Sequence, residues 1–199
     1  MQTKIFTGPM FSGKTRKLVT SLEKYILARR NVMWFEPTQD TRGGSHGSHI
    51  SQRMQDLKQS EYAHCFTISK PEEIISISEE MLDKFRIASI YIDEYHMLDF
   101  KRQFFYDYNN SKLSKVPLVF SGLIVGCDAI VLDVAREVIP FMDEIIKENA
   151  VCMTCGEPAN YYNYIGEWKA ENIIDTGKNY ECLCHDCYMK ATKKPIICE

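Results

Sequence analysis

Apolar positions recur along this chain at two spacings, one suited to strands and one to helices. Lys4 to Thr7 is a short apolar run ending at glycine and reads as a strand. Arg16 to Arg30 carries Leu18, Leu22, Tyr25 and Ile26 at helical spacing, and Asn31 to Pro37 then reads as a second buried strand. Strand, helix, strand is the βαβ unit of a parallel sheet. Phe66 to Ile68, Ala88 to Ile92 and Pro117 to Phe120 suit further central strands, with Ile74 to Phe85 and Phe104 to Tyr108 as helices between them. Residues 40 to 55, rich in Gly, Ser and His, read as a loop at the ligand edge of the sheet. Ala129 to Ile146 reads as helical, with a break at Pro140. The expected architecture is α/β, a parallel sheet flanked by helices, followed by a small cysteine-bearing lobe. The expected division is a main domain over 1–148 and a second, small domain over 149–199.

A chain of 199 residues, 45% hydrophobic, buries one substantial core and a small appended module. A net charge of -3 gives no global basic field, so polymeric nucleic acid is not an expected partner. There is no apolar run of 18 residues and no signal-like start, so a soluble intracellular protein with no membrane contact is expected.

Gly8-Pro9-Met10-Phe11-Ser12-Gly13-Lys14-Thr15 matches G-x-x-x-x-G-K-[ST] between an expected strand and an expected helix. Such a loop turns backbone N–H groups toward phosphates. Lys14 can reach the β- and γ-phosphates of ATP, and the Thr15 hydroxyl can ligate Mg2+. The alternative is an ordinary glycine turn with a solvated lysine. Ile90-Tyr91-Ile92-Asp93-Glu94 is an apolar strand ending in two acids, at the edge where open α/β sheets bind ligands. Asp93 is the candidate Mg2+ partner through water, and Glu94 the candidate general base. A solvated strand end is the plain alternative.

Of eight cysteines, four form two pairs, Cys152-x-x-Cys155 and Cys184-x-x-Cys187. Two such knuckles can close a tetrahedral structural Zn2+ site and tie down the loop between them. Free thiols or a redox pair are the alternatives, and Cys182 and His185 are close enough to act as other ligands.

Together these residues resemble the thymidine kinases of animal cells, many bacteria, poxviruses and some phages, which join a P-loop core to a zinc-anchored lasso lid. The resemblance rests on the glycine loop, Asp40-Thr41-Arg42, Ser48-His49, Asp93-Glu94, Ser121-Gly122-Leu123, Val151-Cys152-Met153-x-Cys155, and Tyr180 before Cys184-x-x-Cys187-Tyr188. It implies transfer of the ATP γ-phosphate to the 5′-hydroxyl of thymidine or a related deoxynucleoside, with Glu94 as base. It also implies Asp40 and Arg42 beside the phosphates, structural zinc on Cys152, Cys155, Cys184 and Cys187, a cytoplasmic homotetramer, and a lid that closes over the base. Met10, Leu123, Tyr162, Ile173, Ile174 and Tyr180 match pocket or lid positions; Met10 and Leu123 read equally as core.

Several positions depart from the family pattern. Tyr95-His96-Met97-Leu98 replaces a small residue, glutamine and an aromatic pair; Ile124 replaces a polar residue; Cys127 and Leu132 replace two phenylalanines. Tyr164 stands where a lid arginine is usual, and Asp175-Thr176 where a double glycine is. His96 reads either as a polar pocket residue touching sugar or base, or as a satisfied buried histidine.

Overall fold

In the computed structural model, residues 2–40, 49–166 and 179–192 are described. Ten strands and six helices are assigned among them. Strand β1 (Thr3–Thr7) leads through the glycine loop into helix α1 (Lys14–Leu27) and strand β2 (Asn31–Pro37). Helix α2 (His49–Lys58), β3 (Ala63–Ile68), α3 (Glu72–Leu82) and β4 (Ile87–Ile92) follow. After a single 3-10 turn come α4 (Arg102–Asn110), β5 (Leu118–Gly122), α5 (Asp133–Val138) and β6 (Glu144–Lys147). The six strands form one sheet in the order β3-β2-β4-β5-β1-β6, and every adjacent pair is parallel. The α/β class and the parallel sheet expected from the hydrophobic pattern are therefore present.

Residue parity along the strands sorts the core into two layers, because successive side chains of a strand point to opposite faces. Phe6, Val32, Trp34, Tyr91 and Val119 meet Leu18, Val19, Leu22 and Ile26 of α1 on one face. Ile5, Met33, Phe35, Ile90, Ile92, Leu118 and Phe120 meet Ile74, Phe104, Phe105, Tyr108 and Val138 of α3, α4 and α5 on the other. Strands covered on both sides read as continuous apolar runs, which is why β2 and β4 stand out in the sequence. Each large side chain buried in this way contributes about 1.5–3 kcal/mol.

Two segments differ from the sequence reading. The second half of residues 40 to 55 is helix α2, whose Met54 and Leu57, three residues apart, pack against the α1 face. Residues 129 to 146 are not one helical stretch. Helix α5 ends at Val138, a 3-10 turn holds Pro140, and Glu144–Lys147 pairs with β1 as an edge strand. Pro140 lacks the N–H a helix interior needs, and Asp143 then turns the chain by accepting hydrogen bonds from the Thr3 N–H and hydroxyl (2.8 and 2.9 Å).

Beyond the sheet, β7 (Ala150–Val151) and β8 (Pro158–Ala159) make one small hairpin, and β9 (Tyr161–Tyr164) pairs antiparallel with β10 (Tyr180–Leu183). Helix α6 (His185–Thr192) follows. A third apolar cluster holds this lobe together and includes Leu123 and Met10 from the sheet body. Among the described residues, no helix is long and apolar enough to cross a membrane.

Candidate functional site

Parallel strands deliver their C-terminal ends to one edge, so the loops after β1, β2, β4 and β5 converge there. Between β1 and α1 the chain turns through Gly8 at φ 147 and Phe11 at φ 59, and Gly13 at φ 85 sets the start of the helix. A Cβ on Gly8 would lie 2.2 Å from the Glu148 carbonyl oxygen, so this position requires glycine. No side chain caps the α1 N-terminus. Its first N–H groups and the positive end of the helix dipole are thus presented to the loop, an arrangement suited to an anion. Lys14 is buried, and its ammonium donates to the Pro9 carbonyl at 2.7 Å. The Ser12 hydroxyl is buried without a hydrogen-bond partner among the described residues, a polar group that a phosphate oxygen would satisfy.

Strand β5 alone separates β1 from β4, which sets the two strand ends about 10 Å apart. Asp93 follows β4 and is buried; its N–H donates to the Phe35 carbonyl, and its Oδ1 accepts the Glu94 N–H at 3.0 Å. Burial first, and the Glu94 carboxylate second, raise its carboxyl well above the usual range, with the Ser121 hydroxyl offsetting part of the rise. Glu36, at the end of β2 and paired with Lys58, adds to it. Two adjacent acids, one buried, make an edge that a cation would relieve. Glu94 itself takes φ 46 and ψ 40, the left-handed region, which costs a non-glycine residue about 1–3 kcal/mol.

His96 sits between that acid and the loop after β5. Its Nδ1 lies 3.4 Å from a Glu94 oxygen and accepts the Leu123 N–H at 3.3 Å; both side chains are 12% exposed. The Tyr95 hydroxyl donates to the Leu123 carbonyl at 2.7 Å. A Cβ on Gly122 would strike Tyr95 and His96, so the glycine lets these rings approach. His96 thus contacts protein groups at the sheet edge while keeping part of its ring exposed.

Met10, Leu123, Tyr162 and Tyr180 come together in the lobe cluster, with Cys127 and Leu132 partly buried against it. The Tyr162 hydroxyl donates to the Val125 carbonyl (3.1 Å) and the Tyr188 hydroxyl to that of Cys127 (2.8 Å). Asp40 lies just past β2, its N–H donating to the Pro37 carbonyl. Arg42, Ile173 and Ile174, with Asp175 and Thr176, fall outside the described residues.

The sulfur atoms of Cys152, Cys155, Cys184 and Cys187 all lie within 4.8 Å of one another, Cys155 and Cys184 at 3.6 Å. Tetrahedral Zn–S bonds of about 2.3 Å place sulfurs roughly 3.8 Å apart, so this donor set fits zinc. Burial opposes the Cys152 thiolate, yet backbone N–H groups of Cys184, Cys155 and Thr154 outweigh it and bring the thiol down to about 6. His185 instead contacts Asp186 and Tyr161. Cys182 is fully buried and donates its thiol to the Met10 carbonyl at 2.7 Å. Sequence reasoning weighed Cys182 only as a ligand, and no sequence signal foretold its contact with the glycine loop. Glu36, an acid closing an apolar strand, carries the sequence signal that marks it at this edge.

The sheet edge, the uncapped helix start and the paired acids define an α/β protein of the phosphate-loop class. The family model described as thymidine kinase matches residues 1–188. A thymidine kinase of Bacteroides fragilis is 25% identical over 96% of this chain and 88% of its own length. The cytosolic thymidine kinase of Bos taurus is 24% identical over 98% and 76%, and a thymidine kinase of raccoon poxvirus 25% over 94% and 96%. The chain belongs to the thymidine kinase family.

Proposed function

We propose that this chain transfers the γ-phosphate of ATP to the 5′-hydroxyl of thymidine or a related deoxynucleoside, forming the monophosphate for DNA precursor salvage. The observation that carries the reading is Glu94, held in a strained left-handed conformation at the sheet edge shared with the glycine loop. Gly8 to Gly13 wrap the phosphates, and Lys14 moves from the Pro9 carbonyl to the phosphate oxygens. Thr15 and Asp93, the latter through water, are the residues to hold Mg2+, which when bound neutralises phosphate charge. Glu94 takes the proton from the 5′-hydroxyl as its oxygen bonds to the γ-phosphorus, while the bond from that phosphorus to the β,γ-bridging oxygen breaks and ADP leaves. Asp40 and Arg42 complete the phosphate side.

Met10, Leu123, Tyr162 and Tyr180 line the nucleoside side, with His96 fixing the approach of Leu123 and Glu94; Ile173 and Ile174 belong to the lid. Zinc on the four cysteines anchors that lid. Residues 1–148 act as the core and 149–199 as the lid domain, in a cytoplasmic homotetramer.

Turnover of a deoxynucleoside panel with ATP and Mg2+ tests the reading. Thymidine or a close analogue is expected to be phosphorylated; ATP binding with no turnover of any member would leave a nucleotide-binding regulator instead. Glu94→Gln is expected to lower turnover by roughly 100-fold or more with ATP affinity kept, and unchanged turnover removes Glu94 from the base role.

A further inference from the structure

The opposite edge of the sheet carries a cleft of about 550 Å3, at the N-terminal ends of β2, β4 and β5 and beside the end of α1. Arg29, Arg30, Arg86 and Lys115 line it, with Tyr25 and Asn31, and none of its lining residues is acidic. In a chain of net charge -3, four cations gathered in one concavity are a local reversal of sign. Among the described residues, none of the four is in an ion pair. The volume falls in the range of small-molecule sites.

Helix termini do not account for this collection. Three of the last four carbonyls of α1 are already satisfied: the Ala28, Arg29 and Arg30 N–H groups donate to those of Lys24, Ile26 and Tyr25 at 3.2, 2.9 and 2.9 Å. This is the Schellman closure, whose left-handed position is usually glycine. Here it is Arg29, at φ 55. A guanidinium is kept where glycine would be more stable, and it stands in a cleft with three other cations. Favourable interaction with the negative end of a helix would serve one or two of them and does not require the strained one.

We propose that this cleft is a second phosphate site, taking a small compound with two or more phosphate groups, bound by the guanidinium forks of Arg29, Arg30 and Arg86 and the Lys115 ammonium. Guanidinium groups match phosphate oxygens in pairs. Its place at the far edge separates it from the glycine loop, so the two sites fill independently of direct contact.

Calorimetric titration of the full chain with inorganic tripolyphosphate, at about 0.15 M ionic strength where charges are screened beyond about 8 Å, provides the test. The unaltered chain is expected to show two binding events. Arg86→Ser with Lys115→Ser should lose one of them or weaken it by roughly tenfold or more, leaving the other unchanged. Arg29→Gly should weaken the same event while raising the melting temperature by about 2–4 °C, so a folding defect cannot imitate the loss. A parallel titration with ATP distinguishes the sources: a second equivalent of ATP marks a nucleotide ligand, and a single equivalent marks free polyphosphate. Identical isotherms for the unaltered chain and both variants would overturn the proposal.

Discussion

The sheet body and the cysteine lobe are stabilised by different physics. The body buries Trp34, Phe35, Tyr91, Phe100, Phe105 and Phe120 completely, between helices on both faces of a parallel sheet. The lobe has two-stranded sheets and a cluster rich in tyrosine and cysteine. Beside the apolar contacts of Leu123 and Met10, directional bonds hold it against the body: the Tyr162 and Tyr188 hydroxyls and the Cys182 thiol, each donating to a backbone carbonyl of a loop at the same sheet edge. Burial is non-directional and tolerates little opening, whereas a few hydrogen bonds, each worth about 0.5–1.5 kcal/mol net, can be exchanged for contacts to a substrate. A body of the first kind with a lobe of the second suits the proposed closure of the lobe over a ligand.

Metal withdrawal should separate the two most sharply. About one zinc per chain is expected on the four cysteines, and a strong chelator is expected to abolish turnover and expose 150–166 and 179–192 to protease, while the helical and sheet signal of the body persists. Full activity and protease resistance in metal-free protein would break the comparison. Phe120→Ala should do the reverse: it opens a cavity between β5 and the aromatic rings of Phe100, Phe105 and Tyr95. It is expected to cost about 3–5 kcal/mol of global stability, read by denaturant unfolding, with zinc content unchanged.

The difference between the regions also governs what the sequence made legible. Strands β2 and β4 carry their own signal because both faces are covered, and the glycine loop is recognisable because its turn fixes Gly8 and Gly13 at a set spacing before Lys14 and Thr15. Helix α2 was hidden in a polar segment where, among the described side chains, Met54 and Leu57 turn to the core. Strand β6 was hidden because an edge strand of four residues needs few apolar positions and Pro140 blurred what preceded it. In the lobe, Cys-x-x-Cys spacing made the four-cysteine cluster legible. The bonds from Tyr188 to Cys127 and from Cys182 to Met10 span 61 and 172 residues and leave no local pattern.

A smaller effect is expected for Tyr188→Phe. It removes one hydroxyl, leaves the Cys127 carbonyl without that donor, and should cost about 1 kcal/mol. In a lobe held by such bonds, the loss should appear as a raised KM for the nucleoside with little change in the global unfolding midpoint. A drop in global stability with an unchanged KM would place this bond with the body instead.

The smallest effect belongs to a polar tie on the body's own surface. Glu137 accepts the Arg102 N–H and Nε at 3.0 and 3.1 Å through one oxygen, and Nη2 at 3.1 Å through the other. The hydrogen bonds to Arg102, first from its side chain and then from its backbone, hold the carboxyl down to about 2. A carboxyl depressed in the fold adds stability that is fully present above its unfolded value of about 4.3 and is lost as pH falls toward 2. Solvent screening keeps that contribution small for a surface pair. Glu137→Gln should therefore lower the melting temperature by no more than about 2 °C at pH 7, with the gap to the unaltered chain narrowing from pH 5 to pH 3. A gap that widens on acidification would mean that Glu137 is not held as a carboxylate. A loss as large as that from Phe120→Ala would mean that the body, too, depends on directional bonds.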